Sequence, residues 1–229
     1  MTDDQLDQVR LLRAQGRSPK QIASALGIRP AEATRLVRAA AAQADAAEPA
    51  LTGCWISPTW STGLGLGDHP GWPVHDDPDA GTAGMVLVLV ARRHRYDKVS
   101  VCGYLTDVYC LGLKNTHGPV IMDEVELRRF LPTFFSAYHS PPIEAPIELA
   151  REIVWGGIEF ARGLGFAPHA SFGGVKDHLG PSSSPSRITF GKDGKPFYVS
   201  GPYDNPGSVI RTLERTAGAG NYDYIAVPV

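Results

Sequence analysis

Residues 18–38, SPKQIASALGIRPAEATRLVR, have the pattern of two short helices joined by a tight turn. Ser18 is suited to cap the first helix, with Pro19 at its first position and Gln21 placed to complete a capping box. Gly27 tolerates the positive φ that ends such a helix. We expect the residues buried between the two helices to be Ile22, Ala23, Leu26, Ile28, Ala33 and Leu36.

A further helix is predicted over residues 4–15, where Leu6, Val9 and Leu12 recur at helical spacing before Gly16. Residues 1–45 are therefore expected to form a small three-helix domain. Residues 10–38 contain seven basic residues and a single acidic one, Glu32, although the whole chain has a net charge of −2. A local positive charge on an acidic protein indicates a polyanionic partner.

The phrase at residues 18–38 resembles the helix-turn-helix of resolvases, of sigma-factor region four and of related bacterial regulators. The resemblance implies binding to double-stranded DNA, with the helix from Pro30 in the major groove and the start of the preceding helix on phosphates. Because one such module makes few base contacts, it also implies a homodimer. The residues implied to contact DNA are Arg17, Ser18, Lys20, Arg29, Ala31, Thr34, Arg35 and Arg38.

The rest of the chain mixes strand and helix patterns without regular alternation, which indicates an α+β domain with a largely antiparallel sheet. We expect a linker over residues 46–53 and this second domain over residues 54–229. The clearest elements are a strand over 85–92, one or two strands over 99–113, and helices over 124–138, 147–164 and 206–216. A hairpin is expected around residues 192–195, and a final strand over 222–227.

Three phrases of the second domain, CWISPTWSTGLGL from residue 54, VCGYLTDVYCLGLKNTHG from 101 and IEFARGLGFAPHASF from 158, are similar to a bacterial protein family with no established activity. Some members carry a metal-binding tail of the SEC-C type instead of a helix-turn-helix. The resemblance covers residues 54–229, and it implies a domain boundary rather than a mechanism.

Asp107 interrupts an apolar run, residues 104–113, where a carboxylate needs partners that offset its desolvation. Lys114 and His117 follow this run, and His169 comes after the helix over 147–164. These four residues are the candidate catalytic set, since an acid with histidines from separate elements suits a metal-dependent hydrolase. The alternative is structural: Asp107 accepts backbone N–H groups, Lys114 pairs with it, and the histidines lie on the surface. The spacing matches no strong metal motif, so no metal site or cofactor is predicted.

Three cysteines, none in a CxxC pair, suit a reducing cytoplasm and a role as core residues. The longest apolar run, residues 85–91, is too short to span a bilayer, so no membrane association is expected. Three functions remain open at this point. The first is a DNA-binding transcriptional regulator whose second domain dimerises or senses a small-molecule ligand. The second is a metal-dependent hydrolase of nucleic acid, and the third is a protein–protein adaptor without catalysis.

Overall fold

The computed structural model describes residues 3–15, 17–46, 48–68, 71–74, 84–182 and 186–226. The chain divides into two compact units, Met1–Pro49 and Ala50–Val229. The first holds helices α1 (Asp3–Ala14), α2 (Pro19–Leu26) and α3 (Pro30–Ala46). None of the helices that the structure describes combines the length and apolar character needed to cross a membrane.

The helices of the first unit pack around a small apolar centre. The side chains of Val9, Ile22 and Ala33 are fully buried, and Ala23 and Leu36 nearly so. Leu12, Leu26, Ile28 and Val37 pack against them, half-buried. The capping box predicted at Ser18 and Gln21 is confirmed, and Gly27 ends α2 with a φ of 63°. The expected apolar set therefore lies between the helices.

Within its described residues, the second unit combines nine strands with four α-helices, in the class α+β as expected; five strands form the main sheet and four form two two-stranded sheets. Its main sheet has the strand order β5-β4-β3-β1-β6, and every neighbouring pair is antiparallel. The strands and helices of this unit, in chain order, are β1 (Leu51–Ile56), β2 (Gly65–Leu66), β3 (Met85–Arg93), β4 (Val99–Asp107), β5 (Gly112–Met122), α4 (Glu124–Phe134), β6 (Ile143–Glu144), α5 (Ile147–Gly163), a 3-10 turn (Ala170–Gly174), α6 (Lys176–Leu179), β7 (Ile188–Thr189), β8 (Phe197–Val199), α7 (Pro206–Thr216) and β9 (Asp223–Ile225).

Helices cover both faces of this sheet. One face carries α5 with its apolar stripe, and two glycines let this helix approach closely. A Cβ on Gly157 would lie 2.7 Å from Thr106, and one on Gly112 would lie 2.7 Å from the methyl group of Ala161. On the other face, Leu127 and Phe135 of the α4 segment pack against β3 and β4. A third apolar cluster joins Cys110, Leu164, Tyr198 and Leu213.

Several sequence expectations differ from the structure. The strand β1 begins at Leu51 and so includes residues expected in the linker and in an irregular segment. Of the one or two strands expected over 99–113, the structure has two, with a turn at residues 108–111, and the second strand continues to Met122 instead of ending before Lys114. Lys114 and His117 consequently lie within β5 and not beyond a strand end.

The hairpin expected around residues 192–195 is wrong as a strand pairing. The turn itself exists, with an isolated bridge between Lys192 and Lys195. However, β7 pairs with β2, and β8 pairs with β9 in parallel. Each flanking segment therefore finds its strand partner far away along the chain. Part of the final strand expected over 222–227 is confirmed as β9, and residue 227 lies outside the described residues.

Two tryptophans anchor the described part of the segment between β1 and β3. Trp60 is fully buried and meets Trp72 edge-on, with ring centroids 6.0 Å apart. The indole N–H of Trp60 donates to the carbonyl of Pro73 at 2.8 Å. Both tryptophans therefore belong to the apolar core of the second unit. Most of residues 69–83 lie outside the described residues.

Candidate functional site

The outer side of α3 carries the residues predicted to face bases. Ala31, Arg35 and Arg38 are exposed and Thr34 is half-buried, so the four recur at the spacing of one helix face. The hydroxyl of Thr34 donates to the carbonyl of Pro30 at 2.9 Å, which leaves its methyl group and a lone pair outward. Arg29, just before the helix, is also exposed.

At the start of α2, the capping box pairs the backbone N–H groups of Ser18 and Gln21. Ser18 Oγ accepts from the N–H of Gln21 at 3.4 Å, and the amide of Gln21 accepts from the N–H of Ser18 at 2.8 Å. Pro19 has no N–H, and among the described residues no acceptor pairs with the backbone N–H of Lys20, which is an open donor of this first turn. Arg17, Ser18 and Lys20 are all exposed beside it.

Sequence reasoning missed a contact that holds this corner. The guanidinium of Arg13 donates to the carbonyl of Arg17 at 3.0 Å and so ties the end of α1 to the approach to α2. In the part of the chain that the structure describes, Arg17, Lys20, Arg29, Arg35 and Arg38 form no ion pair. Among the described side chains, no carboxylate therefore lies within ion-pair distance of these five charges.

Asp107 of the second unit has its partners in the turn that it begins. It is 4% exposed, and its carboxylate accepts the backbone N–H groups of Tyr109 at 2.9 Å, Cys110 at 3.0 Å and Leu111 at 3.0 Å. Burial raises the pKa of Asp107 to about 6, while these three N–H groups and nearby Lys114 pull it down. These contacts match the structural alternative in the backbone N–H partners of Asp107, but the expected pairing of Lys114 with Asp107 is wrong, because Lys114 pairs with Asp204.

Lys114 pairs with a residue that sequence analysis did not select. Its ammonium contacts the carboxylate of Asp204, which also accepts the N–H of Gly201 at 2.8 Å and lies 3.4 Å from the hydroxyl of Tyr198. Burial alone would raise the pKa of Asp204, but these bonds outweigh it, and the pKa lies below its usual value. The pair fastens β5 to the loop that precedes α7.

The two candidate histidines lie on opposite faces of the sheet. The ring of His117 stacks on Phe130 with centroids 5.3 Å apart, on the face covered by α4. The residue before it on β5, Thr116, points to the other face, where its hydroxyl donates a hydrogen bond to the hydroxyl of Ser171 at 2.7 Å. His169 lies there and caps the 3-10 turn, because its Nδ1 accepts the backbone N–H of Ser171 at 3.4 Å; Nδ1 also lies 2.6 Å from the hydroxyl of Ser171. Asp107 and Lys114 are neighbours, but His117 does not join His169.

No three His, Cys, Asp or Glu side chains of the described residues are grouped so that they could hold a metal ion. The three cysteines are buried, and burial raises the pKa of Cys54 and of Cys102 to about 12 and that of Cys110 as well. A thiol with a raised pKa is a poor nucleophile at neutral pH, which agrees with their expected role in the core. Cys102 and Cys110 lie in different apolar clusters, not on one strand face as the spacing suggested.

Two other buried charges were not selected either. Arg92 is 3% exposed, and its guanidinium donates to the carbonyls of His178 and Leu179 at the end of α6. Glu152 is 2% exposed and accepts from the hydroxyl of Ser186 and from Arg187. Glu152 interrupts the apolar stripe of α5 just as Asp107 interrupts its run, so the same sequence signal would have identified it.

Comparison of the chain with protein-family models, with curated proteins and with solved structures found no match.

Proposed function

We propose that the protein binds double-stranded DNA through α2 and α3 and acts as a transcriptional regulator. The observation that supports the proposal is that α2 and α3 are joined by only three residues, and that Arg35 and Arg38 on the exposed face of α3 have no acidic partner among the described residues. In this proposal α3 enters the major groove, and the second unit dimerises or senses a small-molecule ligand.

The turn between α2 and α3 supports this proposal. Residues 27–29 alone separate the helices, and the N–H of Ile28 donates to the carbonyl of Ala23 at 3.0 Å. Ala23 and Ala33 are both buried at the packing interface, where a methyl group lets the helix axes approach. A short, closely packed connection holds α3 at a fixed angle so that its outer face stays open.

Sequence preference is assigned to α3. A guanidinium can donate two parallel bonds to O6 and N7 of guanine, and Arg35, at the middle of the exposed face, is placed for that contact. Arg29 and Arg38 flank it along the helix, and Ala31 and Thr34 offer methyl groups to thymine. In this proposal Arg35 contacts a base, and Arg38 lies beside it near the DNA backbone.

Phosphate binding is assigned to the start of α2. The open N–H of Lys20, its ammonium group and the hydroxyl proton of Ser18 can all be donated to one phosphate. The hydroxyl can do so while its oxygen accepts from Gln21. Arg17 adds a charge-assisted donor, and its backbone is held by Arg13.

The test is fluorescence anisotropy of the full chain with duplexes from a selected pool, at several salt concentrations. Arg35→Ala should lose about 1–3 kcal/mol of preference at one base pair. Lys20→Ala should weaken all duplexes alike and lower the slope of log affinity against log salt by about 1. Lys176→Ala, an exposed lysine on α6, is the matched control and should leave both quantities unchanged.

Equal binding of heparin and duplex, with neither substitution having an effect, would contradict the proposal. No contact in the described residues favours the alternative of a metal-dependent hydrolase over this one, because the candidate acid is saturated by backbone donors and the candidate histidines are separated. The adaptor alternative predicts no salt-dependent complex with DNA, so the same titration distinguishes it.

A further inference from the structure

A groove at one end of the main sheet lies wholly within the second unit. Its lining comes from β1, from the β3–β4 turn and from the first turns of α4, and its volume is about 350 Å³. Val99, the first residue of β4, is among the lining residues and is only 3% exposed. Pockets for small molecules begin at about 300 Å³, so the groove has the size of a small-molecule site.

A β-bulge places one polar residue at this groove. The pairing of β1 with β3 shifts register between Leu51 and Gly53, so Thr52, which lies between them, has no partner residue on β3. Bulges redirect a side chain and are frequent beside binding sites. Thr52 lines the groove, and its hydroxyl makes no hydrogen bond within the described part of the chain. The bulge therefore supplies a hydroxyl that the fold does not use.

The charges that line the groove are balanced. Three side chains are basic and three are acidic. Lys98 and Asp123 neutralise each other, with 3.5 Å between Nζ and the carboxylate. The other four charged side chains form neither an ion pair nor a hydrogen bond among the described residues, and they are Arg93, Asp97, Glu124 and Arg128.

The two free charges of α4 have a spacing that normally leads to an ion pair. Glu124 precedes Arg128 by four residues, which is the favoured order for such a pair on a helix surface. Instead, both side chains line the groove without meeting. Arg93 and Asp97 line it from the β3–β4 hairpin, also unpaired in the described structure. Two elements thus each contribute one separate cation and one separate anion.

We propose that this groove binds a small zwitterion, a molecule with an ammonium group and a carboxylate, as in a free amino acid or a short peptide. The guanidinium groups of Arg93 and Arg128 donate to its carboxylate, and its ammonium group donates to Asp97 and Glu124. The two free carboxylates disfavour a simple anion, and the two arginines disfavour a simple cation.

As the ligand sensed by a regulator, this zwitterion rests on the proposed function. Its binding to the groove does not, because every lining residue belongs to the second unit. The site can therefore be tested without DNA.

The experiment is calorimetric titration of the full chain at low salt with trialanine and with two modified forms of the same length. N-acetylation removes the ammonium charge and C-terminal amidation removes the carboxylate charge, so each should weaken binding about tenfold or more. Alanine, titrated in the same way, distinguishes the two sources of the zwitterion. Alanine binding as tightly as trialanine indicates a free amino acid, and weaker binding of alanine indicates a short peptide.

Two variants assign the charges to their partners. Glu124→Gln should weaken trialanine about tenfold but leave N-acetyl-trialanine unchanged, because the ammonium group that Glu124 contacts is absent there. Arg128→Gln should weaken trialanine by a similar factor but leave the amide unchanged. Arg129→Gln changes the neighbouring exposed arginine of α4, which does not line the groove, and should bind all probes like wild type.

The absence of saturable binding of both alanine and trialanine to the wild type at millimolar ligand would overturn the site. Binding of the acetylated or amidated form as tight as that of trialanine would overturn it too, because a zwitterion would then not be required. Equal loss in Arg129→Gln would also contradict it. None of these results changes the titration with duplex DNA, which decides the proposed function independently.

Discussion

At the scale of single residues, Asp107 shows how a buried carboxylate can be used to build a turn. Its two oxygens accept three consecutive backbone N–H groups, so the chain reverses between β4 and β5 without leaving these donors unsatisfied. The cost is desolvation of the charge, which raises the pKa of Asp107 to about 6 from 3.8. The same residue therefore makes the stability of the fold depend on pH.

The sign of that dependence follows from the direction of the shift. The folded state holds the proton of Asp107 more tightly than the unfolded state. The contribution of protonated Asp107 to the free energy of unfolding is therefore fully present below about pH 4 and is lost as the pH rises through about 6. Relative to Asp107→Asn, the wild type should thus lose on the order of 1–3 kcal/mol of unfolding free energy between pH 4.5 and 7.5.

Urea unfolding across this pH range measures the free energy of unfolding of the wild type and of Asp107→Asn. Subtracting the profile of the variant removes the contribution that the seven histidines of the chain make to the pH dependence of both. Asp177→Asn, at an exposed aspartate on α6, is the control and should follow the wild type. Parallel profiles of wild type and Asp107→Asn would mean that the N–H groups and Lys114 fully compensate for burial.

At the scale of elements, the packing of α2 on α3 is the contact on which the proposed DNA surface depends. Ala23→Leu adds three carbon atoms where Ala23, Ala33 and Leu36 are buried together, so it should cost about 1–3 kcal/mol by overpacking. Ala25→Leu makes the same change at an exposed position of α2 and should cost far less. Thermal and urea unfolding of the two variants measure the contrast.

Equal stability of the two variants would show that the helices do not meet at Ala23. A second readout is DNA affinity, since a displaced α3 would weaken binding even where the first unit stays folded. The two measurements together separate a packing effect from a loss of contact at the surface.

At the scale of the whole molecule, the proposed function depends on how many chains bind one duplex. We expect a homodimer, because one such unit supplies few base contacts. Sedimentation of the complex should show two chains per duplex, with half-sites about 10–10.5 base pairs apart. Inserting five base pairs between the half-sites should reduce affinity, because the second half-site then faces the other side of the helix.

One chain per duplex at saturation, unaffected by such an insertion, would contradict the dimer. It would leave DNA binding by the first unit of a single chain. The arrangement of the chains can thus be measured separately from the binding itself.

Local patterns in the sequence were sufficient for the features that depend on near neighbours. The cap at Ser18, the end of α2 at Gly27, the whole of α7 and the apolar stripe of α5 could be predicted because their interactions span three or four residues. The buried set between α2 and α3 follows from the same helical period.

Only the tertiary structure decided which polar residues meet. Lys114 pairs with Asp204, ninety positions away, and β7 and β8 take strand partners on distant segments rather than each other. His117 and His169 look alike in sequence, yet the pleat of β5 directs His117 to the opposite face from His169. Burial and pairing of charges depend on which segments are brought together by the shared apolar core, and this information is spread over the whole chain rather than carried by any one stretch.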